Sequence, residues 1–260
     1  TKQGLQLSSP AILSLGFLAL IVIGTVLLSL PIATIRPISI LAAAFTATSA
    51  VTVTGLNVVD TANYTTFGQL VIAALIQFGG LGFMTFAILV LTSLQGKMGL
   101  SGSITAQEAL GTHSNQIGST AKAVIKIAFI TESLGFLGLT LLLAPLKGLK
   151  DAMYEAFFLC ISAFNNAGFA LNGNNMTAYV HQPMISFIIS LLIITGGIGF
   201  LVILDIIKHK RWQKFTLHTK VMVLGTFALN VIGCMLYWLL ERHNAKTIGG
   251  LNEAGQWFAS

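Results

Sequence analysis

One pattern occurs twice in this 260-residue chain, and it limits the possible folds more than any single residue does. An apolar stretch leads to a proline, then to an apolar segment too short to cross a bilayer, then to a glycine. A second apolar stretch follows, carrying a Gly-Gly-x-Gly-Phe step. In the first copy the landmarks are Pro31, Ser49-Ala50, Gly55-Leu56 and Gly79-Gly80-Leu81-Gly82-Phe83. In the second they are Pro145, Ser162-Ala163, Gly168-Phe169 and Gly196-Gly197-Ile198-Gly199-Phe200. The proline-to-glycine separation differs between the copies by a single residue.

Composition says which solvent this unit meets. The chain is 55% hydrophobic and 8% charged, whereas charged residues approach a quarter of a soluble domain. Without a polar face for water, the bilayer must be the solvent. A net charge of +6 therefore bears on topology and implies no nucleic-acid partner. There is no initiator Met and no visible signal peptide, which fits a trimmed start; the first apolar stretch is too long for a signal h-region. Cys160 and Cys234 both fall in apolar segments and read as reduced, buried thiols.

Five stretches, at about 11–30, 67–94, 122–144, 183–207 and 219–240, approach or exceed the roughly 20 helical residues that cross a hydrocarbon core. Between the first and second lies Ile38–Val51, and between the third and fourth Ala152–Phe164. At 1.5 Å per residue such segments reach about halfway, so both are predicted to be re-entrant helices. The connection after the fourth span carries Lys208, Lys210, Arg211, Lys214 and Lys220 against Asp205. The loop at 95–121 has Lys97, with Lys122 and Lys126 beyond it, against Glu108, while loops inside each unit are mixed: Arg36 with Asp60, and Lys147 and Lys150 with Asp151 and Glu155. The positive-inside bias then makes the inter-unit loops cytoplasmic and brings both short helices in from outside. Each unit starts and ends inside, so successive units run parallel about the membrane normal, unlike inverted repeats.

The expected organisation is a first repeat at 1–97, a cytoplasmic loop and short helix at 98–121, a second repeat at 122–210 and the start of a third at 211–260. A surface helix is predicted within Ser103–Ser119, and Asn252–Ser260 reads as the approach to a third short helix, with the sequence expected to be truncated there.

The polar stretches after the short helices are Thr52-Val53-Thr54-Gly55 and Asn165-Asn166-Ala167-Gly168. Non-helical backbone at membrane depth is tolerated only where it is buried in protein or faces water. Extended there, it turns carbonyl oxygens towards the axis, and a ring of them can replace a monovalent cation's hydration shell. Each short helix also aims its negative C-terminal end at the membrane centre. No acidic ring accompanies these segments.

Here the chain resembles a known family. Ala47-Thr48-Ser49-Ala50-Val51-Thr52-Val53-Thr54-Gly55-Leu56, Ile76-Gln77-Phe78-Gly79-Gly80-Leu81-Gly82-Phe83 and Ser162-Ala163-Phe164-Asn165-Asn166-Ala167-Gly168-Phe169 are similar to segments of the KtrB/TrkH/HKT superfamily of potassium transporters, the KtrB branch above all. The likeness extends to Trp238-Leu239-Leu240-Glu241-Arg242-His243-Asn244. It implies an all-α integral membrane fold of four M1–re-entrant pore helix–M2 units around a pseudo-fourfold pore, each giving one strand of a selectivity filter. It implies potassium as the transported ion with no cofactor, sodium as an activator in some members, a homodimer, a cytosolic KtrA-type ring of nucleotide-binding RCK domains, and the bacterial inner membrane. The filter role carries onto Val53, Thr54 and Gly55 and onto Asn166, Ala167 and Gly168, flanked by Thr52 and Asn165. In plant HKT relatives serine at the first filter glycine goes with sodium, so Gly55 leans to potassium. The family's gate and remaining filter strands are expected beyond Ser260.

Other residues carry two readings each. The Gly-Gly-x-Gly steps serve as a gating hinge or as close packing against the neighbouring short helix. Gln77 hydrogen-bonds the filter loop or makes a plain interhelical contact. Glu132, mid-span, is a cation site or a hydrogen-bonded carboxyl bridging helices, and Asn230 reads as another interhelical bond. Asp205 and Lys208 are spaced to pair at a helix end, and with Lys210, Arg211 and Lys214 form a patch for a cytosolic partner or membrane lipid. His113, His181, His209, His218 and His243 lack ligand-like spacing. An alternating-access transporter needs inverted repeats or an unwound central helix, an intramembrane enzyme needs paired catalytic residues, and an aquaporin-like channel needs Asn-Pro-Ala motifs. The parallel repeat and these residues favour none of the three.

Overall fold

The computed structural model describes residues 9–95, 117–173, 175–244, 247–251 and 255–257. Among them the chain forms α-helices joined by short turns, with a lone bridge between Thr34 and Tyr64 and no strand. The helices are α1 (Ser9–Leu28), α2 (Ile40–Val51), α3 (Thr66–Gln95), α4 (Ile117–Lys147), α5 (Leu149–Phe164), α6 (Pro183–Gly197), α7 (Phe200–His209) and α8 (Leu217–Glu241). Two compact units result: Thr1–Ile127 with Asn165–Gly173, and Ala128–Phe164 with Asn174–Ser260.

In the first unit α1, α2 and α3 pack on one another. The sequence of α2 explains the close approach: Ala43, Ala47 and Ala50 recur on one face and are fully buried with Val51, and small residues let membrane helices come together. Gly24 of α1 meets that face, where a Cβ would come within 2.6 Å of Leu75 and 3.1 Å of Ala47. The Ser39 side chain caps α2 by accepting from the Ala42 N–H at 3.2 Å, so the helix starts two residues later than the apolar run. Tyr64 closes the outer loop, donating from Oη to Thr46 Oγ1 at 3.0 Å. Thr65 and Ile35 pair with Ala33 and Asn63 through the backbone.

The second unit holds the rest of α4 with α5 to α8. Gly135 of α4 lets Cys160 of α5 and Leu192 of α6 approach, a Cβ there lying 3.2 and 2.9 Å from their side chains. The chain leaves α4 through Gly148, at φ 83°, and enters α5 three residues before the expected start. At 12 and 16 residues, α2 and α5 reach roughly 18 and 24 Å, short of the core thickness of about 30 Å. Cys160 and Cys234 are free thiols; Cys160 is buried and Cys234 half-buried.

α4 and α8 are each long and apolar enough to cross a membrane. The fourth predicted span is not a straight helix: α6 and α7 qualify only together, bent by 94°. Three glycines in four residues weaken a helix by about 1 kcal/mol each relative to alanine, and Gly199 adopts φ 96°, a conformation that other residues rarely take. The surface helix predicted within Ser103–Ser119 lies outside the described residues up to 116; from Ile117 the chain is already in α4. Most of the approach to a third short helix, and the Phe83 side chain, also lie outside them.

Candidate functional site

The segments following α2 and α5 are built alike, and for α2 the hydrogen bonds show how. Thr52 caps α2, Val53 N–H donates to Ala50 O at 3.3 Å and Thr54 N–H to Ser49 O at 3.0 Å. This crossed pair of bonds is the Schellman ending, which satisfies orphan carbonyls and places the residue after the cap in the left-handed region. That residue is Val53, at φ 49°. Glycine usually occupies this place; a β-branched residue there costs about 1–2 kcal/mol. After α5 the equivalent residue is Asn166, at φ 57°, and asparagine tolerates the conformation better. Two residues on, Gly55 and Gly168 also take positive φ, 74° and 73°.

Both segments belong to the first unit, and their glycines meet backbone to backbone. A Cβ on Gly55 would lie 2.6 Å from Ala167 O and 3.2 Å from Gly168 Cα; one on Gly168 would lie 3.4 Å from Gly55 Cα. No side chain fits at Gly55 without displacing the opposing peptide, which is the physical requirement for glycine here.

The hydroxyls of this segment turn back onto their own helix. Thr52 Oγ1 donates to Thr48 O at 2.8 Å and Thr54 Oγ1 to Ser49 Oγ at 3.1 Å. They brace the strand, and both hydroxyls are engaged within it and its helix. Ser49, a landmark of the repeat to which the sequence assigns no role, is 3% exposed and supports the segment; its counterpart Ser162 stands at the same place in the second copy and is equally buried.

Helix α3 touches the end of α2 and the start of the second segment. A Cβ on Gly79 would overlap the Val51 carbonyl, and one on Gly80 would overlap the Asn165 side chain. Asn165 Nδ2 donates to Gln77 Oε1 at 2.9 Å. The first Gly-Gly step is thus close packing against the short helix, and Gln77 bonds the residue that begins the second segment. Among the described residues a Cβ on Gly82 would meet nothing within 4 Å. The second copy of the step serves differently, breaking α6 from α7.

The remaining residues lie in the second unit. Glu132 is half-buried in α4 and acts electrostatically on the Cys160 thiol. Among the described residues no group of three or more His, Cys, Asp or Glu side chains is placed to hold a metal. Glu155, read from sequence as a loop charge, is instead 5% exposed within α5. It accepts from Lys147 Nζ at 2.6 Å and from the Tyr179 hydroxyl. Asp205 does not pair with Lys208. Its Oδ1 sits 2.6 Å from His209 Nδ1, and its Oδ2 accepts from Thr216 N and Oγ1 at 2.9 and 3.0 Å. Asn230 bonds its own helix at Thr226 O, not a neighbour.

Among the described residues the chain is helical without strands, and two of its helices, or three if the bent pair is one span, are long and apolar enough to cross a membrane, which defines an all-α membrane protein. It matches the TrkH family, described as cation transport proteins, over residues 10–241, and it belongs to that family. It is 45% identical over 258 residues to Ktr system potassium uptake protein B of Bacillus subtilis and 41% over 257 residues to the protein of that name from Vibrio alginolyticus. It is 35% identical over 251 residues to the potassium/sodium uptake protein NtpJ of Enterococcus hirae. These alignments cover 98%, 96% and 94% of this chain but 58%, 56% and 55% of those proteins. The chain therefore spans less than two thirds of the length of the relatives it matches.

Proposed function

We propose that this chain contributes two strands of a potassium-selective filter to the pore-forming subunit of a Ktr/Trk-type uptake system. Thr52-Val53-Thr54-Gly55 and Asn165-Asn166-Ala167-Gly168 line it with carbonyl oxygens. The observation that carries this reading is the repeated backbone: positive φ at Val53 and Gly55 and again at Asn166 and Gly168, with the two glycines in main-chain contact. Backbone packed this closely leaves an ion only peptide oxygens as ligands, and such oxygens substitute for water around a monovalent cation. The helix ends of α2 and α5 add a negative potential behind each strand.

In this reading residues 1–97 and 122–210 are successive M1–pore helix–M2 repeats, 211–260 opens a third, and the inter-repeat loops face the cytoplasm of a bacterial cell. Two strands supply half of a fourfold ring. Potassium follows from Gly55 and from the names of the relatives; the Enterococcus relative, named for potassium and sodium, supports sodium as an activating ion. A homodimer and a KtrA-type RCK ring are carried by resemblance, and the printed name "Ktr system" suits a protein that works with other components. Rubidium uptake by potassium-starved cells expressing the full-length protein tests the substrate. Saturable rubidium uptake that external potassium competes away is expected; uptake no greater than in cells without the protein contradicts the proposal.

A further inference from the structure

We propose that the end of α7 and the turn after it bind the headgroup of an anionic phospholipid. The geometry comes first. α7 departs from α6 at 94°, so when α6 stands along the membrane normal α7 lies near the membrane plane. Its sequence suits that position. Asp205, Lys208 and His209 share one face at helical spacing, and the remaining residues, from Phe200 through Leu204 with Ile206 and Ile207, are apolar. An in-plane helix with an apolar body and a cationic end is the pattern of an interfacial element.

The charge is concentrated and unopposed. Lys208, Lys210, Arg211 and Lys214 are all exposed, and none makes an ion pair among the described residues. The one carboxylate nearby, Asp205, is occupied by His209 and by the Thr216 N–H and hydroxyl. That contact fixes the start of α8 against the end of α7 and removes the acid from competition for the cations. Lys210 closes α7 at φ 51°.

An apolar anchor sits within the same turn. Trp212 is 46% exposed and meets Phe215 edge-on at 5.8 Å between ring centroids. Tryptophan is enriched at the headgroup level, where one end of the ring is apolar and the other wet. Five residues earlier in the chain, Ile207 is 54% exposed. Four cations around an exposed tryptophan at the edge of an apolar helix fit a phosphate on an acyl chain better than an acidic protein, which would leave Trp212 and Ile207 in water. The inference rests on the chain being a membrane protein and is independent of the filter assignment.

The test uses the full-length protein, purified in detergent after equilibration with mixed phosphatidylglycerol and phosphatidylcholine vesicles, with retained lipid counted per protein. Wild type is expected to retain phosphatidylglycerol in preference to phosphatidylcholine. The combined Lys208→Gln, Lys210→Gln, Arg211→Gln and Lys214→Gln variant should lose about tenfold or more of that preference, since each cation near an anionic surface contributes roughly fivefold. Lys122→Gln with Lys126→Gln, exposed cations on α4, should leave it unchanged. If the fourfold variant aggregates, Lys210→Gln with Arg211→Gln carries the same comparison at smaller amplitude. Equal retention by wild type and the α7 variants overturns the proposal. So does equal loss in the α4 control, or a variant that keeps its lipid while losing an acidic cytosolic partner.

Discussion

Asn165 donates a hydrogen bond to Gln77 at 2.9 Å, tying the residue that opens the segment after the second short helix to the helix whose Gly79 lies against the end of the first short helix. Through α3 the two segments share one support. Gln77→Ala leaves a partly buried amide without this acceptor, a loss worth about 1–3 kcal/mol. Expected are a lower unfolding temperature and weaker preference for rubidium over sodium in uptake, while Gln77→Glu, which keeps an acceptor, retains most of both.

Gly79 and Gly82 lie one helical turn apart and predict opposite outcomes. A methyl on Gly79 overlaps the Val51 carbonyl, whereas one on Gly82 meets nothing within 4 Å among the described residues. Gly79→Ala is expected to destabilise the protein by about 1–3 kcal/mol through overpacking. Gly82→Ala should be neutral or slightly stabilising, because alanine is the better helix former. Detergent thermal-shift measurements on both variants decide it; equal effects would refute the packing argument.

The Lys147–Glu155–Tyr179 cluster predicts non-additivity. Lys147→Met leaves the Glu155 carboxylate, 7% exposed in its side chain, with the Tyr179 hydroxyl but without its cation, although Lys147 itself is 32% exposed. A loss of about 2 kcal/mol is expected, smaller than for a fully buried pair. Adding Glu155→Gln removes the stranded charge and should restore part of that loss in a double-mutant cycle.

Tyr179 gives a pH dependence of known sign. Burial raises its pKa, the neighbouring Glu155 raises it further, and Lys147 pulls the other way. The folded protein therefore holds this proton more tightly than the unfolded chain. Its contribution is complete below the ordinary tyrosine pKa of about 10 and is lost as pH rises through the higher folded value. Wild type should lose unfolding temperature above about pH 10 more steeply than Tyr179→Phe. Parallel curves would remove the hydroxyl from the account.

Much of this architecture is legible in the residues. Apolar length alone separates α4 and α8 from the short helices α2 and α5, and the glycines that end both copies fall where the backbone needs positive φ. What periodicity cannot see is partner choice. The spacing of Asp205 and Lys208 permits a pair, yet His209 on the same helix and Thr216 at the next one satisfy the carboxylate instead. Glu155 counts among the loop charges although it falls inside the predicted Ala152–Phe164 helix, and its burial against Lys147 and Tyr179 is not visible in the spacing. The Gly-Gly-x-Gly step has one sequence and two structures: in α3 it stays helical against Val51, and between α6 and α7 it breaks the helix. Glycine permits both, and long-range packing chooses.

In the proposed pore an ion meets the main chain at Gly55 and Gly168. This is tested most directly by the rubidium-to-sodium uptake ratio of the full-length protein carrying Gly55→Ser, with Gly168→Ser in parallel, at matched membrane abundance. A Cβ at Gly55 must displace the Ala167 peptide, so the ratio should fall about tenfold or more, the loss of roughly 1.4 kcal/mol of discrimination. Unchanged uptake of both ions would contradict the account.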